Sequence, residues 1–431
     1  MRRHLAPDVS INLNVRGLSV SATLAIQELS NKLRAEGRQV FRLGLGQSPF
    51  PVPRSVVEAL QVNAWQKDYL PVRGLAALRE AIAEYQRRRN QLGCSADDVL
   101  VGPGSKELMF ILQLVYYGDL LIPSPSWVSY APQAQIVGRP VHWVHTRACD
   151  DWKLTPDELE EICAADPDRP RVVVFNYPNN PTGCTYTADE LQAIARVARA
   201  HRVIALSDEI YGELHFRGQH VSISRFYPEG TIISGGLSKW CGAGGWRLGS
   251  FTFPKELRWL LDKAAVVASE TYTSTSAPIQ YAAVRAFRGG MEMESYLWQS
   301  RRVLRSLARY VVARLEEAGA QVAHPHGGFY AFPDFSPLRE RLAARGIHDG
   351  VELSRRLLEE TGVAALPGKD FGQPAAELTL RLAFVDFDGA RALSAAEHLP
   401  KEEPIDDEFL RTYCGNITLA MQRLGEWLTA K

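Results

Sequence analysis

The sequence predicts an α/β protein: a mostly parallel sheet flanked by helices, followed by a smaller α+β unit. Two observations carry this. From about residue 74, short β-branched runs alternate with helical stretches of 10–15 residues, the signature of βαβ units. Beyond a long helix near 292–318, the pattern changes to shorter, mixed elements. A chain of 431 residues accommodates two such units.

In order along the chain, Leu18, Leu24, Ile26, Leu29 and Leu33 recur at helical spacing over 18–36. Val40–Leu43 reads as a short strand, and GLGQSPFPVP after it is a turn. LAALREAIAEYQRRR is a helix, Val99–Val101 a strand, SKELMFILQLVYY a helix and Leu120–Ile122 a strand. Arg171–Phe175 is the next strand, followed by the turn NYPNNPTG and the helix ADELQAIARVARAH. Val203–Leu206 and Thr231–Ile233 complete the alternation. The small domain supplies strand-like Gly328–Phe332, a helix near 349–361, strand-like Leu378–Phe384, an exposed loop LPKEEPIDDEF and a final helix.

Composition narrows the function. Hydrophobic residues make up 46% and charged residues 23%, which suits a folded core. Lys+Arg and Asp+Glu are 49 each, so no global field gathers nucleic acid or an anionic membrane. No apolar run reaches the roughly 18 residues of a membrane span. The start, MRRHLAPDVSINLNV, lacks an apolar signal core, so a cytoplasmic location is expected. Six scattered cysteines lack C-x-x-C spacing and read as reduced thiols, with no metal site indicated.

In an open parallel sheet, ligands bind beyond the carboxyl ends of the strands. The residues there are Gly104-Ser105-Lys106, Trp127, Asn180, Asp208 with Tyr211, and Lys239. Each has two readings. Gly104-Ser105-Lys106 opens a helix and is a phosphate cup or a capped turn. Asp208 and Tyr211 hold a protonated ring nitrogen and a phenolate oxygen, or are a helix cap and a packed tyrosine. Lys239 is one of only 10 lysines against 39 arginines, set among glycines eight residues before Arg247. It is a Schiff-base lysine or an exposed loop lysine. His142 and His145 read as core or surface histidines, Arg87–Arg89 as a solvated helix face, and His324 and His326 have no assigned role.

YPNNPTG (Tyr177–Gly183), SDEIYGELHF (Ser207–Phe216) and SKWCGAGGWRLG (Ser238–Gly249) resemble the class I/II aminotransferases, pyridoxal-phosphate enzymes of fold type I. The resemblance spans about 18–392. It implies a seven-stranded-type sheet in a large domain (54–305), with the small domain drawn from both chain ends: an N-terminal segment (1–53) and a C-terminal part (306–431). It also implies that Lys239 holds pyridoxal 5'-phosphate as a Schiff base. Asp208 pairs with the ring nitrogen, Tyr211 and Asn180 with the ring oxygen, and Trp127 stacks on the ring. Gly104, Ser105, Lys106 and Arg247 surround the phosphate. Tyr69, in YLPVRG, reaches the phosphate of a neighbouring subunit, which implies a homodimer with shared active sites. Arg381, in TLRLAF, grips the substrate carboxylate, and Gly46 offers backbone to it. Many members carry a phosphate-binding serine at the position of Gly236, while some branches carry glycine; the nearby hydroxyls here are Ser238 and Ser234.

The implied activity is amino transfer between an L-amino acid and a 2-oxo acid. Other pyridoxal-phosphate reactions on this scaffold are the alternative: C–S β-elimination, decarboxylation or oxidation. A ligand-sensing regulator would need a DNA-binding segment, for which the stretch before the first helix is too short.

Overall fold

The computed structural model describes residues 10–18, 22–401 and 403–430. At its centre is a seven-stranded sheet: β1 (Val99–Gly102), β2 (Asp119–Ser124), β3 (Val141–His145), β4 (Arg171–Asn176), β5 (Ile204–Asp208), β6 (Thr231–Gly236) and β7 (Gly249–Thr252). Their spatial order is β1-β7-β6-β5-β4-β2-β3. β7 runs antiparallel to both its neighbours, and the remaining pairs are parallel.

Burial on both faces explains the apolar strands. Leu120, Ile122, Val172, Val174, Ile204 and Leu206 face one side, against Leu108 and Leu112 of the helix Ser105–Val115 and Leu260 and Leu261 of Arg258–Thr271. Their alternates Leu121, Val173, Phe175 and Ala205 face the other, against Leu191 and Ile194 of the helix Ala188–Ala200. That helix opens on a capping box, in which Thr187 and Glu190 satisfy each other's backbone amides.

The smaller elements come from both chain ends, as expected. Phe41–Arg42 pairs in parallel with Val363–Ala364. Leu380–Ala383 lies between Tyr330–Ala331 and Leu366–Pro367. The long helix Met291–Glu317 packs against the helices Gly389–Glu397 and Gly415–Thr429 and ties back to the large sheet, Arg301 Nε donating to the Glu213 carbonyl at 2.6 Å.

Some elements differ from the sequence reading. The first helix is described from Ala22 to Ala35, and residues 19–21 of the expected span lie outside the described residues. The chain after 399 forms two helices, Asp407–Tyr413 and Gly415–Thr429, because Asp406 caps the first inside the expected loop. The arginine run is more than a solvated face. Arg89 reaches the buried Glu213 at 2.8 Å, and Arg88 donates to the Phe287 carbonyl.

Glycines let the sheet edge close tightly. A Cβ on Gly249 would lie 2.2 Å from the Ser105 amide nitrogen, and one on Gly236 would lie 2.7 Å from the Leu248 carbonyl. Gly249→Ala is therefore expected to cost about 1–3 kcal/mol in urea unfolding. Gly245→Ala, whose Cβ meets nothing within 4 Å, serves as the control and leaves the midpoint unchanged.

Candidate active site

The carboxyl edge of the sheet opens into a cavity of about 300 Å³ lined by Ser105, Lys106, Trp127, Asn176, Asn180, Asp208, Ile210, Tyr211, Ser238, Lys239 and Arg247. Topology brings them together. Ser105, Trp127, Asn180, Tyr211 and Lys239 follow the ends of β1, β2, β4, β5 and β6. Arg247 precedes β7, whose antiparallel course puts its beginning at the same edge.

Asp208 ends β5 and is 3% exposed. Tyr130 Oη donates to its Oδ2 at 2.5 Å and Ser234 Oγ to its Oδ1 at 3.3 Å. Burial pushes its pKa up to about 6, and these donors, with the Ile210 amide, oppose the rise. Lys239 moves the opposite way. Withdrawal from water, then the nearby Arg381, lowers its pKa to about 8, while Asp208 pulls it upward. Its Nζ donates to the Gly46 carbonyl at 2.6 Å and lies 5.6 Å from the Tyr211 ring centre.

At the other end, the helix Ser105–Val115 presents its free amides, with Gly104 as N-cap at φ 92°. A Cβ on Gly104 would fall 2.2 Å from Arg247 Nη2, so only glycine admits the guanidinium there. Lys106 Nζ stands 5.0 Å from the Trp127 ring centre. Three cations and a helix N-terminus against one carboxylate make a lining that suits an anionic group at one end and a cationic ring nitrogen at the other.

Arg381 and Gly46 join from the small elements. Arg381 is 3% exposed. Its Nη1 donates to Asn180 Oδ1 at 3.3 Å and its Nη2 to the Gly44 carbonyl, while the buried Nε has no partner among the described residues. Its guanidinium lies between the rings of Tyr330 (4.9 Å) and Phe371 (5.1 Å). Tyr69 is not brought to this cavity and stands 90% exposed on the surface.

Sequence reasoning missed Tyr130, Asn176 and Tyr330. Tyr330 Oη is 2.7 Å from Tyr211 Oη, and Asn176 Nδ2 donates to the Asp208 carbonyl at 3.0 Å. Tyr130 had a usable signal, since it stands three residues after Trp127 in PSWVSY.

Residues 38–398 match the sequence family described as aminotransferase class I and II. The chain belongs to that family. It is 35% identical over 370 residues to the aspartate aminotransferase of Geobacillus stearothermophilus, covering 84% of this chain and 91% of the relative. It is 32% identical to the aspartate/prephenate aminotransferase of Thermus thermophilus, with the same coverage of each. Among solved structures, the Thermus thermophilus aspartate aminotransferase with maleate superposes with a TM-score of 0.82 at 29% identity, covering 97% of this chain and 100% of that one. The aminotransferase fold is thus the expected one, its chemistry is transamination, and the family implies pyridoxal phosphate.

The Lys239 shift has a measurable sign. Between about pH 8 and the ordinary lysine value of 10.5, the unfolded chain binds more protons than the folded one, so stability rises with pH across that window. Below about pH 8 the penalty is fully present. In cofactor-free protein, urea unfolding of Lys239→Met is expected to lack this rise; an unchanged slope would remove Lys239 as its source.

Proposed function

We propose that this aminotransferase exchanges the amino group of a dicarboxylic L-amino acid, aspartate first, with a 2-oxo acid, using pyridoxal 5'-phosphate. The observation that carries this reading is a second cation. Arg381 serves the α-carboxylate, and Lys106, a cavity cation with no ion-pair partner among the described residues, serves the distal one. Relatives named for aspartate, and a solved relative with the dicarboxylate maleate, support it.

The residues fit the cofactor. Arg247, Ser105, Gly104 and the helix amides would hold its phosphate, which leaves Lys106 to the substrate. Ser238, which lines the cavity, supplies the hydroxyl that Gly236 lacks, since the Ser234 hydroxyl is engaged by Asp208. Asp208 would face the ring nitrogen, Tyr211 and Asn180 the ring oxygen, and Trp127 the ring face. When bound, the cofactor supplies the electron sink for carbanion chemistry. Lys239 Nζ removes the substrate Cα proton and later returns it. A pKa near 8 leaves its amine close to the working range of a general base. Asp208, once beside a cation, stays ionised and keeps that nitrogen protonated. Arg381 offers a planar fork to the α-carboxylate, and Gly46 presents backbone beside it.

With aspartate and 2-oxoglutarate, oxaloacetate and glutamate are expected in equal amounts without ammonia. Release of ammonia would favour β-elimination instead. Lys106→Met is expected to lower kcat/KM for aspartate roughly tenfold to a hundredfold while leaving alanine unaffected. Equal losses for both substrates would remove Lys106 from the distal carboxylate.

We further propose a homodimer in which Tyr69 completes the neighbour's phosphate site. Val62, Trp65 and Tyr69 expose apolar surface on one short segment, as a subunit contact requires. Sedimentation is expected to give twice the 48.0 kDa chain mass. Lys239→Ala and Tyr69→Ala subunits, each nearly inactive alone, are expected to recover activity when mixed and re-equilibrated, because one site of the hybrid is intact. No recovery would argue that Tyr69 acts within its own subunit.

A further inference from the structure

His215, His324 and His326 converge in a second groove that shares no lining residue with the active-site cavity. The groove has a volume of about 200 Å³. Arg217, Arg305 and Arg309 complete its polar lining, and Phe216, Ala308, Val312 and Pro325 form the apolar part. No aspartate or glutamate lines it. In a chain of formal net charge zero, this is a local concentration of cations.

The donors are available. The guanidinium groups of Arg217 and Arg305 make no hydrogen bond or ion pair among the described residues, and Arg309 makes one long bond, to the Ile405 carbonyl at 3.3 Å. Burial, then the neighbouring histidines and arginines, lowers the His215 pKa to about 4, so its ring is neutral near pH 7. Its Nδ1 accepts from the Arg217 and Gln219 amides at 3.3 and 3.2 Å, which leaves the proton on Nε2 as a donor. The His326 side chain has no partner among the described residues. At the rim, His324 pairs with Glu316 at 3.2 Å.

The groove is also preorganised. His215 and Gly327 form an antiparallel bridge, Phe216 N donates to the His326 carbonyl at 2.8 Å, and His326 N donates to the Gly183 carbonyl at 2.8 Å. The side that carries His215 and His326 is therefore fixed before any ligand arrives, and exposed Arg305 and Arg309 on the helix Met291–Glu317 form the other. Three guanidiniums and a neutral imidazole donor supply more charge and more donors than one carboxylate can use, whereas a dianion with three terminal oxygens can take them. The apolar surface beside them matches a short carbon chain.

We infer that this groove binds a small phosphate monoester, the phosphate held by Arg217, Arg305 and Arg309 and the carbon part lying on Phe216 and Pro325. The same two chain segments continue into Tyr211 and Tyr330 of the active site, so the ligand would lie against the segments that carry that hydroxyl pair.

The test is calorimetric titration of the holoenzyme at constant ionic strength with glycerol 3-phosphate, inorganic phosphate and succinate. Glycerol 3-phosphate is expected to saturate one site per chain in the millimolar range or tighter, and to bind more tightly than any succinate whose binding depends on Arg217; succinate bound equally by Arg217→Gln belongs to the active-site cavity. Arg217→Gln and Arg305→Gln are each expected to weaken it about tenfold, with steady-state transamination in the absence of phosphate compounds unchanged. Both side chains lack partners, so the variants keep the fold. Absence of saturable binding, or equal binding by wild type and both variants, would overturn the site. Succinate binding of equal affinity that is lost in Arg217→Gln and Arg305→Gln would overturn the phosphate assignment, and binding of inorganic phosphate without glycerol 3-phosphate would overturn the monoester.

Discussion

The buried carboxylate of Asp208 is the constraint on which the site depends. A carboxylate at the end of an apolar strand loses most of its hydration, and neutral donors recover only part of it. Tyr130, Ser234 and the Ile210 amide all point at Asp208, and its pKa still rises to about 6. What this carboxylate lacks is a positive charge in contact with it. Lys239 feels Asp208 electrostatically, but its Nζ is turned to the Gly46 carbonyl. The strand end is thus built around a cation that the protein does not itself bring into contact. In the proposed function that cation is the protonated ring nitrogen of the cofactor, held by Asp208.

The second condition is close backbone approach. β6 and β7 end and begin in glycines, and Gly249 abuts the Ser105 amide. A side chain at Gly236 would meet the Leu248 carbonyl, so the missing serine there follows from how tightly β6 packs on the segment entering β7. That packing holds the helix N-terminus and Arg247 against one another, and the left-handed turn at Arg247 (φ 52°) aims its guanidinium back over Gly104. The anion-binding end of the cavity is a product of backbone geometry as much as of charge.

The parallel core was legible because both sheet faces are covered, which gives strands such as Val172–Phe175 an unbroken apolar run. β7 was not legible: Gly249–Thr252 is four residues long, starts with glycine, and owes its place to pairing with two neighbours. The two-residue strands of the small elements were over-extended for the same reason, as with Tyr330–Ala331 inside the expected Gly328–Phe332. Site residues carried on motifs were legible because each motif sits at a strand end. Tyr130 and Tyr330 were not, because a tyrosine hydroxyl declares its role only through its partner. Asp208 lies 78 residues from Tyr130, and Tyr211 lies 119 from Tyr330. No local pattern encodes those distances.

The same reasoning accounts for Arg381. In sequence it is one arginine among 39, within an apolar strand where a charge is costly. Folding surrounds it with the Gly44 carbonyl, Asn180 and two aromatic faces, which stabilise the cation without neutralising it. No carboxylate is hydrogen-bonded to it among the described residues, and its Nε donor is left unpaired. An internal ion pair would have made the arginine cheaper to bury and useless for binding, because a substrate carboxylate would then have to displace an equal one. In the proposed function, leaving the charge unneutralised reserves that stabilisation for the substrate carboxylate. Asp208 and Arg381 are thus the same device with opposite sign, and the distance between them fixes which molecules can satisfy both.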